Sequence, residues 1–238
     1  MPDPGSRASP RFRRRWARKG GAAHLTPDYD GDRGTDAAAG VEVHAMKSVL
    51  AENVFTVSGL LTPGECRDLI DRGEGLGFRK ASVRTASGPR MRTDLRDNDR
   101  VAFADPTLSA ALWDRCRPFV PPELEGGSAV GLDEDFRFYR YDVGQRFRPH
   151  RDGVVHRSPT ERSRLTCLFY LNEGFAGGET VFYSDARSPG GRREEAVVVP
   201  HAGDALFFPH ERWHEGRELS AGRKYVLRSD VFYLFPPS

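Results

Sequence analysis

Cysteine is scarce in this chain. Three occur in 238 residues, at Cys66, Cys116 and Cys167. The number is odd and the spacings are wide, which excludes a disulfide framework, a zinc knuckle and a Cys-x-x-Cys redox pair. Each thiol is expected to be a small buried apolar group in a reducing compartment, so a cytoplasmic protein is expected. Long apolar runs are missing, and no membrane span or membrane partner is expected. Charge of one sign is not in surplus either. Thirty-six Lys and Arg against 34 Asp and Glu leave a formal net charge of +2, which excludes polyanion binding by bulk charge alone. No internal repeat is visible.

What is present leans towards strands. Fifteen Phe and seven Tyr favour sheet, and 25 Gly with 17 Pro supply many turns. Residues 1–45 differ from the rest. They are rich in Gly, Ala, Arg, Asp and Pro, lack apolar periodicity, and are expected to form a disordered basic extension. Its run Arg11, Arg13, Arg14, Arg15 and Arg18 is followed by no apolar stretch, so no secretory signal is expected. The run is read as solvated rather than as a nucleic-acid contact. Residues 46–130 are expected to support, and residues 131–238 to form, the core of one domain.

Val54–Val57 alternates as a strand. Thr62-Pro63-Gly64-Glu65 is a capping box with Pro at the first helical position, and Cys66, Leu69 and Ile70 give the helix its apolar stripe. Gly73 and Gly75 are expected to end it. A second helix starts at Asp105-Pro106, carries Leu108, Leu112, Trp113 and Cys116, and stops at Pro118. Strands are predicted at 135–142, 165–171, 180–183, 196–199, 204–208 and 224–234, with polar loops at 153–164 and 184–195. Helices followed by a run of strands predict a mainly β (α+β) fold, a double-stranded β-helix (jelly roll) with N-terminal buttressing helices.

Three segments carry chemistry. His150 and Asp152 are two apart, so a strand would point both to one face. His214 could add a third ligand. Two imidazoles and one carboxylate on one face of a metal leave adjacent positions open, which suits non-haem iron(II). Lys224, ten residues after His214, could pair with the far carboxylate of a chelating dicarboxylic acid. A rival pattern overlaps this one. His210-Glu211-Arg212-Trp213-His214 reads H-E-x-x-H, which on a helix would make a zinc hydrolase. Pro209 and Gly216 argue against a helix there, and His210 is expected to face solvent.

Together these segments resemble the prolyl 4-hydroxylase catalytic domain of the Fe(II)/2-oxoglutarate-dependent dioxygenase superfamily. The matching pieces are Tyr141-x-x-Gly144-x-x-Phe147-x-x-His150-x-Asp152, Leu165 to Asn172, Gly177-Gly178-Glu179-Thr180-x-Phe182, Gly203 to Phe207, and His214-x-Gly216 with Lys224. They cover about residues 135 to 234. The resemblance implies iron(II) on His150, Asp152 and His214. It implies 2-oxoglutarate on Lys224, with Tyr170 on the same carboxylate and Tyr141 beside it; Thr166 shares Tyr170's face by the strand period of two and is a further candidate to line that pocket. Dioxygen is the other cosubstrate and L-ascorbate a further candidate. The implied reaction hydroxylates a C–H bond of a peptide, protein or amino acid, proline by default, and releases succinate and carbon dioxide. Arg228, Asp230, Tyr139, Asn98 and Arg100 are candidates to face the substrate. The alternatives are the zinc hydrolase, a non-catalytic metal-binding barrel and, within the superfamily, nucleic-acid demethylation. Neither the substrate nor the oligomeric state is named by these motifs.

Overall fold

The computed structural model describes residues 45–81, 83–85, 88–90, 95–184 and 192–237. The expected basic extension up to residue 44, and residues 185–191 of the second polar loop, lie outside them. Strands β1 (Met46–Ala51) and β2 (Val54–Ser58) lead into helix α1 (Pro63–Leu76). Short strands β3 (Arg79–Lys80), β4 (Val83–Thr85) and β5 (Gly88–Arg90) follow, then β6 (Asp99–Ala104) and helix α2 (Pro106–Cys116). Next come β7 (Glu123–Leu124), β8 (Gly127–Leu132), β9 (Asp135–Tyr141), β10 (Phe147–His150) and β11 (Glu161–Tyr170). The chain closes with β12 (Ala176–Gly177), β13 (Thr180–Tyr183), β14 (Glu194–Val198), β15 (Ala205–Pro209), β16 (Trp213–Gly216), β17 (Leu219–Ala221) and β18 (Lys224–Leu234).

The strands make a jelly-roll sandwich. A large antiparallel sheet runs β1-β2-β15-β11-β18-β9-β6-β3, and a smaller one runs β10-β16-β13-β14. β9 pairs with the first half of β18 and β8 with the second. Tyr139, Tyr141, Tyr170, Phe182, Phe208 and Val226 fill the space between the sheets, so the core and one wall of the site are the same side chains. Almost every residue of β18 is buried, on both faces, because the sandwich covers one and the rest of the fold the other. Among the described residues, no helix is long and apolar enough to cross a membrane.

The helices buttress the large sheet. Thr62 caps α1 reciprocally: its hydroxyl accepts from the Glu65 amide at 3.2 Å, and the Glu65 carboxylate accepts from the Thr62 amide at 2.9 Å. The same carboxylate grips the Arg115 guanidinium of α2 at two points, 2.9 and 3.0 Å. α1 does not stop at Gly73 or Gly75. It runs to Leu76 and is capped by Gly77 at φ 82°. Gly73 sits against Phe78 and Phe138, where a methyl group would come within 3.2 Å of a ring, so its missing side chain serves close packing rather than termination.

Several other boundaries differ from expectation. The predicted loop at 153–164 ends earlier, because Glu161, Arg162 and Ser163 pair with Leu234, Tyr233 and Phe232 at the far end of β18. A long partner strand supplies ladder hydrogen bonds to residues whose polarity reads as loop. β1, β6, β8, β10 and β16 carry no clean apolar alternation and went unpredicted as strands.

Candidate active site

Strands β10 and β16 are neighbours in the small sheet, and their register sets His150 directly opposite His214. The two ring centroids stand 4.2 Å apart. Each imidazole Nδ1 donates to the backbone carbonyl two residues before it: His150 to Arg148 at 2.8 Å, His214 to Arg212 at 2.9 Å. That fixes both tautomers and leaves both Nε2 lone pairs free. They face one carboxylate. Asp152 Oδ1 lies 3.8 Å from His150 Nε2, and Oδ2 lies 3.6 Å from His214 Nε2. The donor atoms all fall within 4.8 Å of one another. Two neutral imidazoles and a carboxylate so disposed could hold one divalent metal with adjacent positions open.

Asp152 does not share a strand with His150, as the two-residue spacing suggested. β10 ends at His150, and Asp152 lies beyond it, where its amide donates to the His210 carbonyl at 2.8 Å. Burial lowers the basicity of both imidazoles, so they are uncharged at neutral pH and ready to ligate. Burial alone would raise the Asp152 carboxyl. The Arg228 guanidinium, 2.6 Å from Oδ1, and the two imidazoles instead hold it far below the usual carboxylate range.

A relay of hydrogen bonds orients that carboxylate. The Val155 amide donates to Ser163 Oγ at 2.9 Å, which leaves the Ser163 hydroxyl to donate to His210 Nε2 at 2.8 Å. His210 Nδ1 then donates to Thr166 Oγ1 at 2.9 Å, and Thr166 donates to Asp152 Oδ2 at 2.7 Å. His210 is therefore buried, at 2% exposure, and does not face solvent as its loop context suggested. Nor is it a partner of His214. The segment runs strand, turn, strand from Ala205 to Gly216, so the helix that H-E-x-x-H requires is absent. The strand register, not the i to i+4 spacing, decides which imidazole meets the carboxylate.

The His150, Asp152 and His214 cluster opens into a cleft lined by Tyr139, Tyr141, Phe147, Leu168, Thr180, Val226, Arg228 and Lys224. Lys224 pairs with Tyr141 across β18 and β9 and is 3% exposed. Its ammonium donates to the Gly178 carbonyl and lies 5.5 and 5.4 Å from the ring centres of Tyr141 and Tyr170. No carboxylate pairs with it among the described residues, and burial pushes its pKa down to about 7. This is a cation awaiting an anion. Gly177 and Gly178 make the cradle possible. Both have positive φ, and a Cβ on Gly177 would sit 2.3 Å from the Glu218 carbonyl oxygen.

The remaining candidates divide. Tyr139 and Arg228 line the cleft. Tyr170 does not. Its hydroxyl meets Thr180 Oγ1 at 2.8 Å, and Thr180 presents the polar surface instead. Thr166 lies behind Asp152 rather than on the cleft wall. Asp230 is fully buried against Arg228 (3.1 Å) and Arg137 (3.5 Å), which is the pairing its charge demands. Asn98 is also fully buried, bonded to Arg96 and to the Asp99 carbonyl. Arg100 lies opposite Tyr139 on β6. Thr180, Phe147 and Leu168 line the cleft yet were not singled out as site residues. The Gly-Gly-Glu-Thr segment already carried Thr180.

A jelly roll holding two histidines and an aspartate beside a buried lysine defines a class, and comparison with known proteins agrees. Residues 136–229 match the family model of the 2OG-Fe(II) oxygenase superfamily. The chain is 34% identical over 161 residues to "Probable prolyl 4-hydroxylase 11" of Arabidopsis thaliana, covering 66% of this chain and 49% of that protein. It is 28% identical over 178 residues to a "PKHD-type hydroxylase" of Methylobacterium nodulans, covering 71% of this chain and 73% of that protein. The chain thus spans about half of the plant relative and about three quarters of the bacterial one. Among solved structures, a prolyl hydroxylase from Trichoplax adhaerens, in complex with a hypoxia inducible factor peptide fragment, superposes with a TM-score of 0.54. Identity is 16%, with 76% of this chain and 83% of that chain covered, so the likeness concerns the fold. Over residues 136–229 the chain is thus similar to a prolyl 4-hydroxylase-like 2OG-Fe(II) oxygenase domain. The class to which such domains belong is the 2-oxoglutarate-dependent dioxygenases.

Proposed function

We propose that this protein is an iron(II)- and 2-oxoglutarate-dependent hydroxylase acting on a peptide, protein or amino-acid C–H bond, with proline the first substrate to test. One observation carries the reading: three converging donors and a buried lysine with no ion-pair partner among the described residues share one cleft. The balanced reaction takes R–H, dioxygen and 2-oxoglutarate to R–OH, succinate and carbon dioxide. Bound iron would supply the activation of dioxygen. His150 and His214 would ligate it through Nε2 and Asp152 through a carboxylate oxygen, an arrangement favoured by the Nδ1 bonds that orient the rings. Lys224 would pair with the distal carboxylate of the oxoacid, and the Thr180 hydroxyl, held by Tyr170, would donate to it. Arg228 and Thr166 hold the Asp152 carboxylate ionised and in place. Tyr141, Leu168 and Val226 make the wall apolar and exclude water. L-ascorbate is proposed as an accessory reductant in the assay. Likeness to prolyl hydroxylases, one of them seen with a peptide, supports a peptide-sized substrate.

The test is succinate formed from 2-oxoglutarate in the presence of iron(II). His150→Ala should abolish it, since one lost imidazole leaves two ligands. Protein that purifies with tightly bound zinc and ignores 2-oxoglutarate would refute the proposal.

A further inference from the structure

Arg96 occupies a place where a cation is costly to hold. It is 6% exposed. Its Nε donates to Asn98 Oδ1 at 2.6 Å, but its Nη2 is buried without a hydrogen-bond partner, and no carboxylate pairs with it among the described residues. Its guanidinium lies 4.4 Å from the ring centre of Tyr139 and 4.5 Å from that of Phe147. Both rings line the cleft, and Phe147 in turn stacks on His150. Arg96 is thus one ring away from the metal ligands. Stacking on two aromatic rings offsets part of its desolvation, yet an unpaired buried charge remains expensive.

Arg100 repeats the situation next door. The register carries one row across the sheet, Tyr170 to Val226 to Tyr139 to Arg100, so Arg100 points to the same side of the sheet as the cleft-lining Val226 and Tyr139. It is half-buried, and no carboxylate pairs with it among the described residues. Burial, then the charges of Arg96, Arg137 and Arg228, lower its affinity for its own proton. The phenol of Tyr139 feels the same field. Burial opposes its ionisation, but Arg228, Arg96 and Arg137 outweigh that and lower its pKa. Among the described residues around Tyr139, four guanidiniums meet two carboxylates, Asp152 and Asp230, and these acids are already engaged, Asp152 by Arg228 and Asp230 by Arg228 and Arg137. Iron(II) and a dianionic oxoacid cancel one another in charge, and Lys224 stands apart to pair with the oxoacid. The positive surplus at Arg96 and Arg100 therefore persists in the loaded enzyme.

We propose that Arg96 and Arg100 receive a carboxylate of the substrate, so that the enzyme selects an acidic group flanking the carbon it hydroxylates. This rests on the oxygenase reading above and names its substrate class. The planar guanidinium offers a carboxylate two parallel N–H donors, which sets orientation as well as affinity. The carboxylate could be the side chain of an acidic residue in a peptide or the α-carboxylate of a free amino acid. Its bonds are unchanged by the reaction.

The test uses the full chain loaded with manganese(II) and 2-oxoglutarate, titrated by calorimetry. One arm compares acetylated, amidated peptides bearing proline beside Glu, Gln or Lys. The other compares free L-proline with L-prolinamide. The carboxylate probe should bind tighter by about tenfold or more in one arm, and that arm identifies the source. Arg96→Gln and Arg100→Gln should each erase the preference while leaving the dissociation constant of 2-oxoglutarate within about twofold. Arg96→Gln keeps a donor for Asn98, so its melting temperature should hold or rise. A clear fall would mark a structural arginine and overturn the proposal. Equal binding of neutral, basic and acidic probes in both arms would overturn it too, as would a preference that survives both substitutions. If 2-oxoglutarate itself fails to bind, the oxygenase reading falls and takes this proposal with it. If it binds and the probes do not discriminate, only this proposal falls.

Discussion

Lys224 shows how one buried side chain sets a pH dependence. Its pKa, pushed down to about 7 by burial, leaves the free protein partly uncharged there at neutral pH. Pairing with a carboxylate raises that pKa, so the complex binds more protons than its parts. The sign follows: affinity for 2-oxoglutarate is greatest below pH 7 and falls as pH rises, by about tenfold per unit until the pKa of the bound state is reached. Anaerobic calorimetry between pH 6 and 9 checks this, and Lys224→Met should bind weakly with no such slope. A flat profile in the unsubstituted protein would place the carboxylate elsewhere. Thr166 offers a second residue-level test. It is the last link of the relay that fixes Asp152. Thr166→Val keeps the shape and removes the hydroxyl, so iron(II) affinity should drop by roughly 10- to 100-fold with the fold intact. Metal titration of the variant, followed by circular dichroism, separates the two effects.

At the scale of elements, the β12–β13 segment is a turn built around missing side chains. Gly177 at φ 76° abuts the Glu218 carbonyl, and Gly178 supplies the carbonyl that holds the Lys224 ammonium. Gly177→Ala forces both a strained φ and a steric clash, a cost of about 1–3 kcal/mol or more. Thermal unfolding should report that loss. The 2-oxoglutarate dissociation constant should rise with it, because the Lys224 cradle moves with the turn. Motifs at this scale were readable in the chain. The capping box at Thr62–Glu65 and the β13 and β18 boundaries follow from local pattern, because each element's own residues satisfy its needs. The strands that went unrecognised are those whose partners do the work. β10 and β16 hold two metal donors, yet each has only four residues and neither alternates. Their pairing is a property of the sheet.

For the whole molecule, the cleft is a place where like charges and orphaned polar groups are gathered at the expense of stability. Ligands that satisfy them should stabilise the fold. Manganese(II) with 2-oxoglutarate at about 100 times its dissociation constant should add about 2.7 kcal/mol, a rise of roughly 5–10 °C in melting temperature for a domain of this size. Differential scanning calorimetry reads this directly, and the gain should vanish in His150→Ala. No gain in the unsubstituted protein would mean that the cleft does not bind the pair.

The chain alone determined the chemistry on offer. Donor types and their order, His150, Asp152, His214 and then Lys224, are local properties, and so are the apolar period of the strands and the glycines of the turn. What only the tertiary structure decided is which polar groups meet. His210 and His214 are equally good imidazoles in one short segment, and the spacing even favours joining them. The β10–β16 register turns His214 to the carboxylate, while the turn at His210 buries that ring against Ser163 and Thr166. Asp152 reaches the two imidazoles from beyond a strand end, Thr180 takes the cleft face that Tyr170 does not reach, and Arg96 meets no acid among the described residues. Each outcome depends on long-range pairing across the sandwich. A charge is cheap or costly only by what the fold sets beside it.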